Sequence, residues 1–338
     1  MIQKTVVFNK YNSIENSYRK EILDRIKGHG LWENEFLVQE KVHGANLSYW
    51  TQDGIHFRAA KRTELIADGE KFYNYDKLLE ALSPHFQKIW ETLQQEDPEI
   101  NQMGIFGEVI GGTYPHKEVE RDRLAVRVQK GIHYSPSNHF YAFDIQINGD
   151  HFLDTDRANQ LFQREGLLHA RTLFRGSIEA CLEYPNAFTS TLPDQLGLPI
   201  LEPNICEGVV IRPAQTTYLN NGMRVMLKNK NEKWSENRKH HRVIRPEEPL
   251  SERVVQLQEA IAGYVTENRL HNVVSKIGEV GERDIGRVLG LFNKDVFEDF
   301  VKDYGTVFTD LEKKEQKLIT KSIGRSSATL VKQYIRCQ

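Results

Sequence analysis

The sequence predicts an α+β protein: antiparallel sheets with flanking helices, followed by a small all-α C-terminal domain. Three observations predict it. Short β-rich runs lie beside turn dipeptides between about residues 36 and 230, and helical stretches are interspersed among them. Beyond residue 245 the pattern becomes helical throughout, and Pro246 and Pro249 are the last prolines of the chain. The expected division is therefore 1–245 and 246–338.

The strand candidates, in order, are Ile55–Ala60, Ile105–Val109, Phe140–Ile147, Ile205–Arg212 and Arg224–Lys228. Each is a short run rich in β-branched or aromatic residues. The pairs Asp53-Gly54, Asn148-Gly149 and Asn221-Gly222 adjoin such runs and favour hairpins. Helices are expected over Ser13–Lys27, Asn74–Leu82, Phe86–Gln95, Arg157–Glu165 and Ser177–Glu183. In the C-terminal stretch Val254, Leu257, Ile261 and Val265 recur at helical spacing.

Composition narrows the function classes. The chain has 338 residues, 39% hydrophobic and 27% charged, as in ordinary globular proteins. No apolar run approaches the ~18 residues of a membrane span, and residues 1–18 lack the pattern of a signal or transit peptide. The expectation is a cytosolic protein with no membrane partner, and a monomer. Three cysteines, none in Cys-x-x-Cys spacing, make neither a disulfide framework nor a zinc site. A net charge of −2 argues against a globally basic nucleic-acid binder, while local clusters stay possible.

Five segments carry chemistry. Lys41 ends the apolar run Phe36-Leu37-Val38 and precedes Gly44. It reads either as a nucleophile or as a surface lysine at a strand end. Glu108, in Phe106-Gly107-Glu108, is an acid on an apolar strand, which is costly without a polar partner. A ribose hydroxyl or a structural hydrogen bond would serve. Phe143-Asp144 offers an aromatic ring for a nucleobase and an acid beside it, or simply a core strand. Glu207 opens the β-branched run Gly208-Val209-Val210-Ile211, where a metal, another cation or a structural partner would explain it. Lys228 and Lys230 share one face of a strand. Two ammonium groups there repel unless they share an anion such as a phosphate; otherwise they form a solvated basic edge.

The ordered set resembles the covalent nucleotidyltransferases, which include DNA ligases, RNA ligases and mRNA capping enzymes. The finer resemblance is to the RNA ligase 2 family. It is carried by EKVHGAN at 40–46, AKRT at 60–63, FYAFDI at 140–145 and the lysine pair. The stretch from Gly112 to Gln129 and the Tyr134-Ser135-Pro136 run are similar to the RNA-editing members. The segments 264–269 and 272–279 are similar to the helical C-terminal domain of the phage members.

This resemblance implies an ATP-dependent RNA ligase with an adenylyltransferase domain. Lys41 would carry AMP covalently, with Lys228, Lys230 and a divalent metal (Mg2+ or Mn2+) supplying positive charge at the phosphates. Glu207 would hold the metal, Arg62 and Glu108 would contact ribose or phosphate, and Phe143 would stack on adenine. Glu40 would lie beside the purine, acting partly through its backbone. His43, Asn46 and Asp144 would serve the later steps, in which AMP passes to a 5′-phosphate and a 3′-hydroxyl displaces it.

The implied partner is a nicked RNA duplex. Residues 228–245 hold seven Lys/Arg against two Glu and would meet its phosphates. The helical domain would clamp the duplex by its A-form shape, with Arg269, Asn272, Ser275 and Lys276 as the polar residues to test first. A DNA ligase shares the five motifs but usually follows them with an OB-fold, where this chain turns helical. A non-catalytic protein that binds nicks or ends is the rival of another class, and the presence of Lys41, Glu207, Lys228 and Lys230 argues against it.

Overall fold

The structure, a computed structural model, describes residues 6–234 and 251–336. The chain forms two compact units, 1–231 and 232–338. The boundary expected at 245/246, and the basic run over 235–245, lie outside the described residues.

The first unit begins with β1 (Glu15–Asn16) and α1 (Lys20–Gly28), then β2 (Phe36–Lys41), β3 (Ala45–Thr51) and β4 (Arg58–Lys61). Helix α2 (Tyr75–Glu96) leads to β5 (Met103–Gly111), β6 (Asn138–Ile147) and β7 (His151–Phe152). Then come α3 (Thr155–Arg164), β8 (Thr172–Gly176), α4 (Ile178–Glu183), α5 (Leu192–Gln195), β9 (Gly208–Pro213) and β10 (Leu227–Lys230). They build two five-stranded sheets, ordered β1-β10-β9-β2-β8 and β4-β3-β5-β6-β7. All ladders are antiparallel except that of β1 with β10. The mixed sheets and helices agree with the predicted class.

Three local results differ from expectation, each for a physical reason. The two helices expected over 74–82 and 86–95 are one, running through Pro84. Proline removes the N–H that would bond the Glu80 carbonyl, and the Ser83 hydroxyl donates to that carbonyl instead at 3.4 Å. Most of the helix expected from Ser13 is absent before Lys20, because Glu15 and Asn16 pair with Leu227 and Lys228. Strands β3 and β8 had no strand prediction. β3 is sandwiched between β4 and β5 and buried along almost its whole length, so it lacks a polar face to alternate with.

The cores follow the sheets. Leu47, Tyr49, Ile105 and Phe140 pack with Phe86 and Trp90 of α2 beside the second sheet. Val38, Val209 and Ile211 pack with Ile26 and Ile178 beside the first.

The second unit is all-helical: α6 (Glu252–Ala262), α7 (Glu267–Ile277), α8 (Ile285–Thr309) and α9 (Lys313–Arg336). Its core includes Val254, Leu257 and Ile261 of the predicted periodic set, with Phe292, Phe300, Ile319 and Val331. Ser251 and Thr266 cap α6 and α7, each hydroxyl accepting a backbone N–H of the first turn. No described helix is long and apolar enough to cross a membrane.

Candidate active site

The centre of the site is made by the register of three strands. Lys41 at the end of β2 lies opposite Gly208 of β9, and Lys230 of β10 lies opposite the same glycine. Residues directly opposite in antiparallel strands share a face, so two ammonium-bearing side chains flank a position with no side chain. Glu207 precedes that glycine, and its carboxylate lies between the lysines. Lys41 Nζ is 2.9 Å from one oxygen and Lys230 Nζ 2.7 Å from the other. His43 Nδ1 is 3.6 Å from the oxygen that Lys41 uses. Lys228 lies two residues from Lys230 on the same face.

Glycine at 208 is a geometric requirement. Its φ of +148° disfavours a side chain, and a Cβ there would come 2.1 Å from the Asn229 carbonyl oxygen. Glycine at 44 is equally constrained: a Cβ would lie 2.4 Å from Val109 O and 2.9 Å from Glu108 Oε2. The β2–β3 turn therefore sits directly on the end of β5.

The electrostatics follow from burial. Glu207 is 1% exposed, and desolvation alone would favour its neutral form. Lys230, Lys41 and His43 outweigh this and hold its carboxyl well below the usual range. Glu108 goes the other way. Burial pushes its carboxyl up, Lys41 pulls it down and Glu207 pushes it up again. Its Oε2 is buried without a hydrogen-bond partner among the described residues. Asn46, opposite Glu108 in the β3–β5 ladder, shares its face.

Glu40 points away from this cluster, as strand alternation requires. Its buried carboxylate accepts from Ser190 Oγ (2.6 Å), Thr191 N (2.8 Å) and Thr191 Oγ1 (2.7 Å). Burial raises its pKa against those three bonds. The side chain is thus committed to the segment that opens α5, which leaves the backbone of Glu40 as the part available to a ligand.

The remaining predicted residues are placed elsewhere. Arg62 follows β4 and forms no ion pair among the described residues. Its neighbour Lys61 is buried against Glu64 and Glu70. Phe143 is the extra residue of a β-bulge, because the β5–β6 register steps from Phe106↔Asp144 to Gly107↔Ala142. A bulge re-aims a side chain, and the Phe143 ring is half-buried, edge-on to Tyr11 at 5.1 Å.

Asp144 is fully buried between the sheets. Arg212 of β9 bonds its two oxygens at 2.7 and 3.2 Å, Arg224 does so at 2.8 and 3.0 Å, and the Tyr11 hydroxyl donates to it. Burial opposes its charge, yet Arg212 and Arg224 hold its carboxyl down at about 2. The structure does not join Asp144 to the Lys41–Glu207 cluster through any described hydrogen bond.

Several partners escaped the sequence reading. Ser190 and Thr191 stand about 150 residues from the glutamate they clasp, and nothing local marks them. Arg212 carried a signal, since an arginine closing a β-branched run needs a carboxylate.

In the helical unit, Arg269 is 2% exposed and bonds Asp295 at 2.6 Å and Asp299 at 3.0 Å. Lys276 meets Asp295 at 3.3 Å. These contacts tie α7 to α8, so Arg269 does not have the exposure of a first contact for RNA.

The family described as RNA ligase matches residues 34–230, and the one described as T4 RNA ligase 2 C-terminal matches residues 247–329. Among curated proteins, the mitochondrial RNA-editing ligase 2 of Trypanosoma brucei brucei is 32% identical, over 88% of this chain and 84% of the relative. RNA-editing ligase 1 of that organism, also mitochondrial, is 27% identical, over 90% of this chain and 78% of the relative. A solved RNA ligase structure from Naegleria gruberi aligns at 15% identity and a TM-score of 0.45, over 67% of this chain and 57% of that one. On the family matches and the curated relatives, the chain belongs to the RNA ligase family, in its RNA ligase 2 branch, and is an ATP-dependent RNA ligase.

Proposed function

We propose that this ligase seals 3′-hydroxyl/5′-phosphate nicks, preferably in duplex RNA, with Lys41 as the covalent carrier of AMP. The observation that carries the reading is the Glu207 carboxylate shared by Lys41 and Lys230. It gathers a nucleophile, an acid and a second cation at one buried point. A lysine attacks only as the neutral amine, so Lys41 gives a proton to water before it attacks. The amine nitrogen then bonds the α-phosphorus of ATP and loses a second proton to water, as the bond to pyrophosphate breaks and its electron pair leaves with pyrophosphate. In the second step a 5′-phosphate oxygen attacks the adenylate and the lysine nitrogen leaves, taking up a proton. In the third, the 3′-hydroxyl oxygen bonds the 5′-phosphorus, its proton is lost and AMP departs.

The chain's own groups divide this work. Lys228 and Lys230 offset charge on the phosphates. The bulge turns Phe143 toward the adenine, Glu40 offers its backbone, and Arg62 and Glu108 meet ribose or phosphate. His43 and Asn46, beside Glu207 and Glu108, serve the RNA steps. The site also fits a divalent cation. Glu207 is charged and Glu108 has an oxygen with no partner, while the described residues contain no group of three His, Cys, Asp or Glu able to cage an ion. One or two carboxylates, completed by water and phosphate, is the mode magnesium favours. When bound there, a cation would neutralise phosphate charge and compete for the carboxylate that holds Lys41.

The helical domain clamps the RNA in this reading, and the protein acts as a cytosolic monomer. Cell fractionation and light scattering test those two points, and a chain ending at residue 245 that seals as well as the whole removes the clamp.

The central test is incubation with radiolabelled ATP across magnesium and manganese concentrations. Wild type gains covalent AMP, and Lys41→Ala does not; label on that variant would sink the nucleophile. Sealing of nicked RNA, nicked DNA and single-stranded RNA is compared in parallel, and preference for the DNA nick would overturn the substrate.

A further inference from the structure

The β2–β3 turn that follows Lys41 is held from outside by a residue with no role assigned so far. The hydroxyl oxygen of Tyr134 accepts the backbone N–H of His43 at 2.8 Å. The Tyr134 ring is fully buried, so water cannot substitute for that bond.

The tyrosine is itself fixed on both sides. Before it, His133 N donates to Asn204 Oδ1 at 2.9 Å, and Asn204 Nδ2 donates back to His133 O at 2.7 Å. After it, Thr113 N donates to Ser135 O at 3.1 Å and Gly112 N to Ser137 O at 3.2 Å. Asn204 is 1% exposed and lies three residues before Glu207. The phenol therefore stands on a frame that joins the end of β5 to the segment leading into Glu207, and it reaches the turn two residues beyond Lys41.

Burial raises the Tyr134 pKa, and nearby Glu40, Glu207 and Glu108 raise it further, so the hydroxyl keeps its proton at neutral pH.

We infer that Tyr134 is a positioning residue: it holds the Lys41–Gly44 turn so that the lysine nitrogen is aimed at the α-phosphorus. The inference rests on Lys41 being the nucleophile. Its consequence is selective. Lys41 forms a bond in the first step and breaks it in the second, but forms none in the third. A loose turn therefore slows adenylylation, where a misplacement of about 1 Å can cost ~100-fold, and slows closure of an already activated nick less, because His43 acts there and Lys41 does not.

The test is Tyr134→Phe in the full chain, which removes one oxygen. Two rates are read: adenylylation of the protein with labelled ATP in a single turnover, and sealing, without ATP, of a nicked RNA duplex whose 5′ end already carries AMP. The first is expected to fall about 5- to 100-fold at saturating ATP. The half-saturating ATP concentration should stay within about twofold of wild type, and the second rate should fall by a clearly smaller factor than the first. Adenylylation at the wild-type rate, or an equal fall in both rates, overturns the inference.

Should Tyr134→Phe give too little folded protein, Asn204→Ala loosens the frame instead and must show the same split; both steps slowed alike, or neither, overturns it equally. Lys41→Ala runs alongside. Label on that variant removes the nucleophile assignment itself, whereas a blank there with normal Tyr134→Phe removes only the positioning role.

Discussion

Replacing Asp144 by alanine would leave Arg212 and Arg224, each 2% exposed, facing one another without the carboxylate that both grip. Removing one partner of a buried ion pair costs about 3–5 kcal/mol. The titration of Asp144 gives a second measure. Its carboxyl is held at about 2 against an ordinary 3.8, which corresponds to about 2–3 kcal/mol of stability at neutral pH. The folded-state value is the lower one, so this contribution is complete above the ordinary carboxylate range. It is lost as pH falls from about 4 through about 2. Asp144→Ala should therefore lower the melting temperature by roughly 10 °C at pH 7, with the gap narrowing as pH approaches 3. Urea unfolding followed by tryptophan fluorescence is a suitable assay, because Trp50 belongs to the same buried cluster as Tyr11 and Phe143. An Asp144→Asn chain that melts with wild type yet loses only the RNA steps would refute this reasoning and return Asp144 to the reaction chemistry.

Three other outcomes are expected. Gly44→Ala must displace a backbone carbonyl 2.4 Å away, so adenylylation should fall at least ~10-fold while far-UV circular dichroism stays native; wild-type labelling would show that the turn yields freely. Glu108→Gln removes a buried acid whose carboxyl is raised. Such a group makes stability decline as pH rises from the ordinary carboxylate range through the raised value, so the glutamine chain should lose that decline, be as stable as wild type or more, and need more metal for adenylylation; an unchanged metal requirement would remove Glu108 from the cation. Arg269→Ala removes the buried guanidinium from Asp295 and Asp299, which keep Lys276 and Lys302, and should destabilise the helical unit by about 1–3 kcal/mol, read as a fall in its melting temperature; unchanged melting would remove its structural role.

What the sequence revealed and what it hid divide along a physical line. Lys41, Gly208 and Lys230 are each near a strand end, and strand periodicity places the two strand lysines on one face, so the site's outline was legible from short-range pattern. The glycines at 44 and 208 were visible too, though not the backbone oxygens that require them. Pairings between distant segments were not legible. The ion pairs of Asp144 were hidden because its two arginines come from β9 and the segment before β10, 68 and 80 residues away. Glu40 gave no local hint that Ser190 and Thr191 would occupy its carboxylate. Helix α2 was split by Pro84 because the compensating Ser83 hydroxyl is a tertiary detail, not a propensity.

On the proposed reading of Lys41 as the nucleophile, Glu207 adds a further control on its reaction. The structure shows that Lys230 does not act on Lys41 unopposed, because Glu207 stands between them with one oxygen for each. The carboxylate therefore holds the side chains of Lys41 and Lys230 together at one point. Whatever draws the carboxylate away releases the Lys41 side chain and leaves two like charges on one face of the sheet. Nucleotide phosphates would attract Lys230, and a divalent cation would compete for Glu207. In both cases the lysine side chain would be released on substrate binding. On the proposed reading, the carboxylate that holds Lys41 also ties its release to the arrival of ATP.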